Sequence, residues 1–166
     1  MAELALTPVG GVDPAGCADG RRWCQTQTMA AEARLSLAIM YVRDLDASTA
    51  FYTELLGLKV TDREPTAALL ASAAGSRLIL RSTGADAMRA PGSIGVQFVV
   101  WAAATDKDLD RAERVLKARS AYVETRRRDD YTVIEGRDPD GSPVLIAYPP
   151  PDEVPLHPLP ARIYAW

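Results

Sequence analysis

The sequence predicts an α+β protein built from two consecutive βαβββ units. Three observations predict it. Apolar residues recur with the period of a strand, then of a helix, then of strands again, and this order runs through twice between Leu35 and Tyr148. Each candidate helix is preceded by a capping residue, and the first is closed by Gly57. A glycine- and proline-bearing segment, 84–92, separates the two runs.

Leu35 to Val42 reads as an apolar strand. Asp46 is the expected cap of a helix ending at Leu56, on which Ala50, Phe51, Leu55 and Leu56 share one side and are expected to be buried. Strands follow at Lys59 to Arg63, Thr66 to Ala73 and Arg77 to Ser82, with Gly75 marking the turn before the last. In the second unit a strand from Ile94 to Trp101 leads to a helix over Asp106 to Ala118, capped by Thr105. Strands at Tyr122 to Arg127, Tyr131 to Gly136 and Pro143 to Tyr148 complete it. The folded domain therefore spans 34–149, as a first module over 34–83, a linker over 84–92 and a second module over 93–149.

The flanks have a different character. Residues 1–33 carry Pro8, Gly10, Gly11 and Pro14 among small polar residues without a sustained period, and read as a flexible extension. It lacks a basic start followed by an apolar core, so no secretory signal is expected. Cys17 and Cys24 lack Cys-x-x-Cys spacing and suit free thiols in a cytoplasmic protein, with a small disulfide loop as the alternative. Residues 150–166 form a Pro-rich tail, whose Val154, Leu156, Leu159, Ile163, Tyr164 and Trp166 are expected to lie along the domain or across a partner.

Composition narrows the function. A chain of 166 residues suits one folded domain of ordinary size. The net charge of −3 is small, and the one basic run, Arg126 to Arg128, is followed at once by Asp129 and Asp130. No nucleic-acid footprint is expected. No apolar run approaches the length of a membrane span, so no membrane role is expected either. The one histidine, His157, lies between Pro155 and Pro158 beyond the last strand. A histidine-rich metal centre, a Ser-His-Asp triad or a Cys-His pair inside the core is therefore hard to build.

Two stretches, Tyr41-Val-Arg-Asp-Leu-Asp-Ala-Ser-Thr-Ala-Phe-Tyr-Thr-Glu-Leu-Leu-Gly57 and Asp138-Pro-Asp-Gly-Ser-Pro-Val-Leu-Ile-Ala-Tyr148, carry a family resemblance. They resemble the vicinal oxygen chelate superfamily, which includes glyoxalase I, extradiol dioxygenases, fosfomycin-modifying enzymes and bleomycin-resistance proteins. The resemblance implies paired modules that form a curled mixed sheet around an open cleft, and a homodimer. It also places metal ligands on inward strand positions, which here carry Leu37, Gly95 and Leu145, with only Arg-Leu-Ile-Leu-Arg on the strand around Leu78 to Ser82. Neither Leu nor Gly supplies a donor, so no metal and no other cofactor is expected.

If Leu37, Gly95 and Leu145 face inward, strand alternation adds Ile39, Tyr41, Gln97, Val99 and Ala147. Trp101 would stand at the rim. The expected ligand-binding set is then Leu37, Ile39, Tyr41, Gly95, Gln97, Val99, Trp101 and Leu145, apolar except for Gln97 and the Tyr41 hydroxyl. The same alternation fits a filled core with no cavity. The expected function is metal-independent binding of an apolar or aromatic small molecule in a dimeric cleft, similar to the bleomycin-resistance branch, in the cytoplasm. The alternative is a cofactor-free isomerase, epimerase or lyase, with Glu124, Glu135, Tyr41 or His157 as acid-base group. Metal-dependent glyoxalase or dioxygenase chemistry ranks last, for want of ligands.

Overall fold

The two βαβββ units are present, and each forms its own four-stranded mixed sheet carrying one helix on one face. A computed structural model describes residues 35–88, 96–128 and 130–150. The extension over 1–33, Gly95, His157 and the tail from 151 onward lie outside the described residues. In the first unit, β1 (Ala38–Val42) leads through α1 (Leu45–Leu56) to β2 (Lys59–Glu64), β3 (Ala67–Ala71) and β4 (Arg77–Ser82), in sheet order β1-β4-β3-β2. In the second, β5 (Val99–Ala102), α2 (Asp106–Ala118), β6 (Tyr122–Arg127), β7 (Thr132–Arg137) and β8 (Pro143–Tyr148) follow the order β5-β8-β7-β6. β1 and β5 are thus edge strands, each held in parallel by the last strand of its own unit.

The units repeat one another in register. A β-bulge falls between Val60 and Asp62 in the first and between Tyr122 and Glu124 in the second. The turn before β4 is closed by Ser72 N–H to Ser76 O at 2.9 Å, and the turn before β8 by Asp138 N–H to Ser142 O at the same distance. Counting from the helix caps and strand pairings, Leu37 corresponds to Phe98, Ile39 to Val100, and Ile79 to Leu145. The expected repeat is therefore physical, although the sequences of its halves have diverged.

Three local expectations are corrected. Asp44, not Asp46, caps α1, because its Oδ1 accepts the Ala47 N–H at 2.9 Å while its backbone is extended. Ala50 is exposed and Tyr52 is buried instead, so the inner side of α1 is Leu45, Ser48, Thr49, Phe51, Tyr52 and Leu55. The strand expected over Ile94 to Trp101 is short, with β5 beginning at Val99. Gly57 does close α1, in the left-handed conformation at φ 66° that a residue with a Cβ adopts at a cost.

One apolar cluster runs through both units. Phe51, Tyr52 and Leu55 of α1 and Leu109, Ala112 and Leu116 of α2 meet Leu70, Leu78, Leu80, Val144 and Ile146 from the two sheets. Burying each of the large side chains stabilises the fold by about 2 kcal/mol before ordering costs. Polar contacts reinforce the join. The Arg111 guanidinium donates to the carbonyls of Glu54 and Leu55 at 2.7 and 3.1 Å, satisfying the open C-terminal end of α1, and Arg119 pairs with the Glu54 carboxylate.

Candidate functional site

Strand pairing fixes which side chains turn away from the helices. In the first sheet Ala38, Met40 and Val42 share the helix side with Leu78 and Leu80, leaving Leu37, Ile39 and Tyr41 on the opposite, concave side with Ile79. In the second, Val100 pairs with Leu145, so both share the concave face, whereas Val99 pairs with Val144 and Trp101 with Ile146, toward the helix. The expected inward residues Gln97 and Val99 are thus out of phase by one residue, and Gly95 lies outside the described residues. Phe98 and Val100 occupy the concave face, and a one-residue shift exchanges the faces of a strand. Trp101 packs half-buried against the main core rather than standing free at the rim.

The two concave faces differ in exposure. In the second sheet Val133, Leu145 and Ala147 are buried together, with Phe98, Val100 and Tyr131 packed on them. In the first, Ile39 is 59% and Tyr41 66% exposed. The expectation of an open cleft and its filled-core alternative therefore each describe one half of the molecule.

A cavity of about 560 Å³ lies along the outer edge of β1, between it and the segment 96–101. Six of the eight residues expected to bind a ligand line it: Leu37, Ile39, Tyr41, Gln97, Val99 and Trp101. Val99 and Trp101 reach it despite facing the helix side, because β5 is an edge strand. Leu145 is not among its lining residues, being 1% exposed within the second sheet, and Gly95 lies outside the described residues. The lining also includes residues that sequence reasoning missed, Phe98, Tyr52 and Ser142 among them.

Tyr52 and Ser142 belong to a buried polar joint at the cavity wall. The Tyr52 hydroxyl donates to Asp138 Oδ2 at 3.0 Å, while Asp138 Oδ1 accepts the N–H groups of Ser142 and Asp140 at 2.7 and 3.0 Å. Burial, and then the charge of Asp138, hold the Tyr52 hydroxyl far above its ordinary pKa. Burial likewise raises Asp138, against the lowering effect of the Ser142 N–H and the Tyr52 hydroxyl. Both groups are committed to each other, so neither is poised to exchange protons with a ligand. Next to them Arg43 grips the same turn, its Nε 3.1 Å from Asp140 Oδ1 and its backbone N–H on the same carboxylate.

Glu124 and Glu135, whose direction the sequence left open, stand opposite each other on the concave side of the second sheet, in the row of Leu145. Glu135 is buried and pairs with Arg137 at 3.3 Å; Glu124 pairs with Arg126. Each carboxylate thus has a guanidinium two residues along its strand. This arrangement neutralises both acids, and it does not single out a general base.

The positions where a metal would be gripped carry carbon only. By the repeat they are Leu37, Ile79, Phe98 and Leu145, with Phe98 replacing Gly95 as the counterpart of Leu37. Divalent ions need nitrogen, oxygen or sulfur donors converging at about 2 Å. These side chains do not fit one, and among the described residues no group of three or more His, Cys, Asp or Glu is placed to hold an ion. No helix of the described residues is long and apolar enough to cross a membrane.

Solved structures share this fold. A glyoxylase/bleomycin resistance protein/dioxygenase domain from Frankia sp. EAN1pec is similar over 70% of this chain and 98% of its own, at 23% identity and a TM-score of 0.62. A lactoylglutathione lyase from Agrobacterium tumefaciens covers 70% of this chain and 93% of its own, at 20% identity and a TM-score of 0.54. The oxidase ChaP-H2 covers 71% and 94%, at 19% identity and a TM-score of 0.56. At such identities the likeness shows the fold alone, and the activities named differ among themselves. Nothing among curated proteins matches. The family model for the Glyoxalase/Bleomycin resistance protein/Dioxygenase superfamily matches residues 34–146, and the chain belongs to that superfamily.

Proposed function

We propose that this protein is a metal-independent binder of a small apolar or aromatic molecule, held along β1 in a cleft that a second copy helps to enclose. One observation carries the reading. A cavity of ordinary ligand size is walled by Leu37, Ile39, Tyr41, Phe98 and Trp101, with the Gln97 amide as an orienting polar group. Carbon side chains at the four would-be ligand positions support independence from a metal. The apolar residues exposed on the edge strand β1 support a homodimer. A cytoplasmic site of action agrees with cysteines that lack redox or zinc spacing.

Catalysis without a cofactor is the second reading, favoured only by the burial of Glu135 on a concave sheet face. Its ion pair with Arg137 and its place opposite Glu124 argue against a free base, so binding ranks first. The test is equilibrium binding of planar aromatic compounds to the full chain, followed by tryptophan fluorescence, with recovery of the compound unchanged. Failure of every such compound to bind, or its conversion, removes the proposal. Gln97→Leu is expected to weaken binding by about 1 kcal/mol through loss of one hydrogen bond. An unchanged Kd would take Gln97 out of the site.

A further inference from the structure

The apolar stripe on β1 is flanked by charge. β4 alternates Arg77, Ile79 and Arg81 on the concave face, in line with Leu37, Ile39 and Tyr41 of β1. Both arginines are exposed, and among the described residues neither side chain makes an ion pair or hydrogen bond. The next strands separate the two ends. The row through Arg81 continues over Ala67 to Glu64, an acid that offsets it. The row through Arg77 continues over Ala71 to Lys59, a second base. The Arg77 row therefore carries two bases and no acid of its own among the described residues, while Asp62, paired with Leu69, stands in the next row beside Ile79.

That end also has a pocket. A hollow of about 410 Å³ is lined by Arg77, Ser36, Ser76, Ala74, Gly75 and Leu35, and Leu35 lines the larger cavity along β1 as well. Leu35 thus borders both pockets, and Arg77, Ser36 and Ser76 line the second. An apolar molecule without charge would leave that guanidinium unmatched, whereas a carboxylate meets its planar fork with two hydrogen bonds.

We infer that the ligand is an aromatic carboxylate, its ring on Leu37, Ile39 and Tyr41 and its carboxylate at Arg77 in the pocket of Ser36 and Ser76. This inference rests on the reading of the β1 cavity as a small-molecule site and adds the charge of the ligand to it. Lys59 raises the local positive potential without touching the ring.

Three probes of one shape separate the two claims: naphthoate, naphthamide and naphthylmethylammonium, titrated into the full chain. Naphthoate is expected to bind about tenfold more tightly than naphthamide, the factor one charge-assisted hydrogen bond supplies, and the ammonium most weakly. Arg77→Gln is expected to remove the difference between naphthoate and naphthamide. Arg114→Gln, which changes net charge equally on exposed helix surface, is expected to preserve it. Equal binding of naphthoate and naphthamide, or a preference that survives Arg77→Gln, overturns the carboxylate assignment and leaves the apolar site standing. If none of the three binds, the site itself falls, and the inference with it.

Discussion

Asp138→Ala is expected to lower unfolding stability by about 3 kcal/mol, because it leaves the buried Tyr52 hydroxyl and two turn amides without their acceptor. The effect reaches beyond one turn. Asp138 stands in the loop between β7 and β8, whereas Tyr52 stands on α1 of the other unit, so the bond between them joins the two halves at the cavity wall. Denaturant titration of the variant should show a lower midpoint, and the loosened wall should weaken ligand binding as well. A midpoint equal to that of the parent would show that the bond contributes nothing.

The same carboxylate predicts a pH dependence. Its pKa is raised by folding, so the folded state holds the proton more tightly than the unfolded chain. The stability this contributes is fully present below the ordinary aspartate value and is lost as pH rises through the folded pKa. The direction is opposite to that of a carboxylate stabilised by a salt bridge. Asp138→Asn, compared with the parent across the acid range, is expected to remove that decline, and a parallel pair of curves would contradict the assignment.

Gly136→Ala is expected to cost about 3 kcal/mol, at the upper end for an overpacked core. A Cβ built on Gly136 would lie 2.5 and 2.8 Å from the two terminal carbons of Leu116 and 3.0 Å from the carbonyl oxygen of Ala121. Leu116 is fully buried, and that carbonyl accepts the Arg137 N–H at 2.7 Å, so neither neighbour gives way freely. Gly136 is thus where β7 lets α2 settle onto the second sheet. Shortening the neighbour should relieve the clash, and Leu116→Ala combined with Gly136→Ala is expected to cost less than the sum of the single changes. Strict additivity would show that the two residues do not interfere.

What could be read from the sequence was short-range. α2 was legible because its cap, Thr105, and its last helical residue, Ala118, are fixed by neighbours within a few positions, and both ends fall where expected. The face of β1 was legible because the resemblance sets Leu37 inward and strand alternation carries Ile39 and Tyr41 with it. β5 was not, since Val99, Val100 and Trp101 are apolar in succession and offer no period of two. Its face emerges only from the pairing of Val100 with Leu145, 45 positions away along the chain. α1 misled for another reason: Asp44 and Asp46 are both competent caps, and the choice is made by the backbone at Asp44.

The site followed the same division. Six lining residues were found because they belong to the two strands that carry the family motif positions. Tyr52 was missed because its partner, Asp138, is 86 residues distant, and nothing within the helix distinguishes a buried tyrosine beside Phe51 from an exposed one. The charge on the concave face was missed as well. Arg77 and Arg81 look like ordinary surface residues until β4 is seen lying beside β1, with Lys59 at the end of the Arg77 row and Glu64 at the end of the Arg81 row.

The measurement that bears most directly on the account is the affinity of the full chain for naphthoate before and after exhaustive treatment with a chelator. Carbon at Leu37, Ile79, Phe98 and Leu145 predicts the same Kd in both cases, with no stoichiometric iron, manganese, nickel or zinc in the purified protein. Affinity that disappears on chelation and returns with one equivalent of a divalent metal would contradict it.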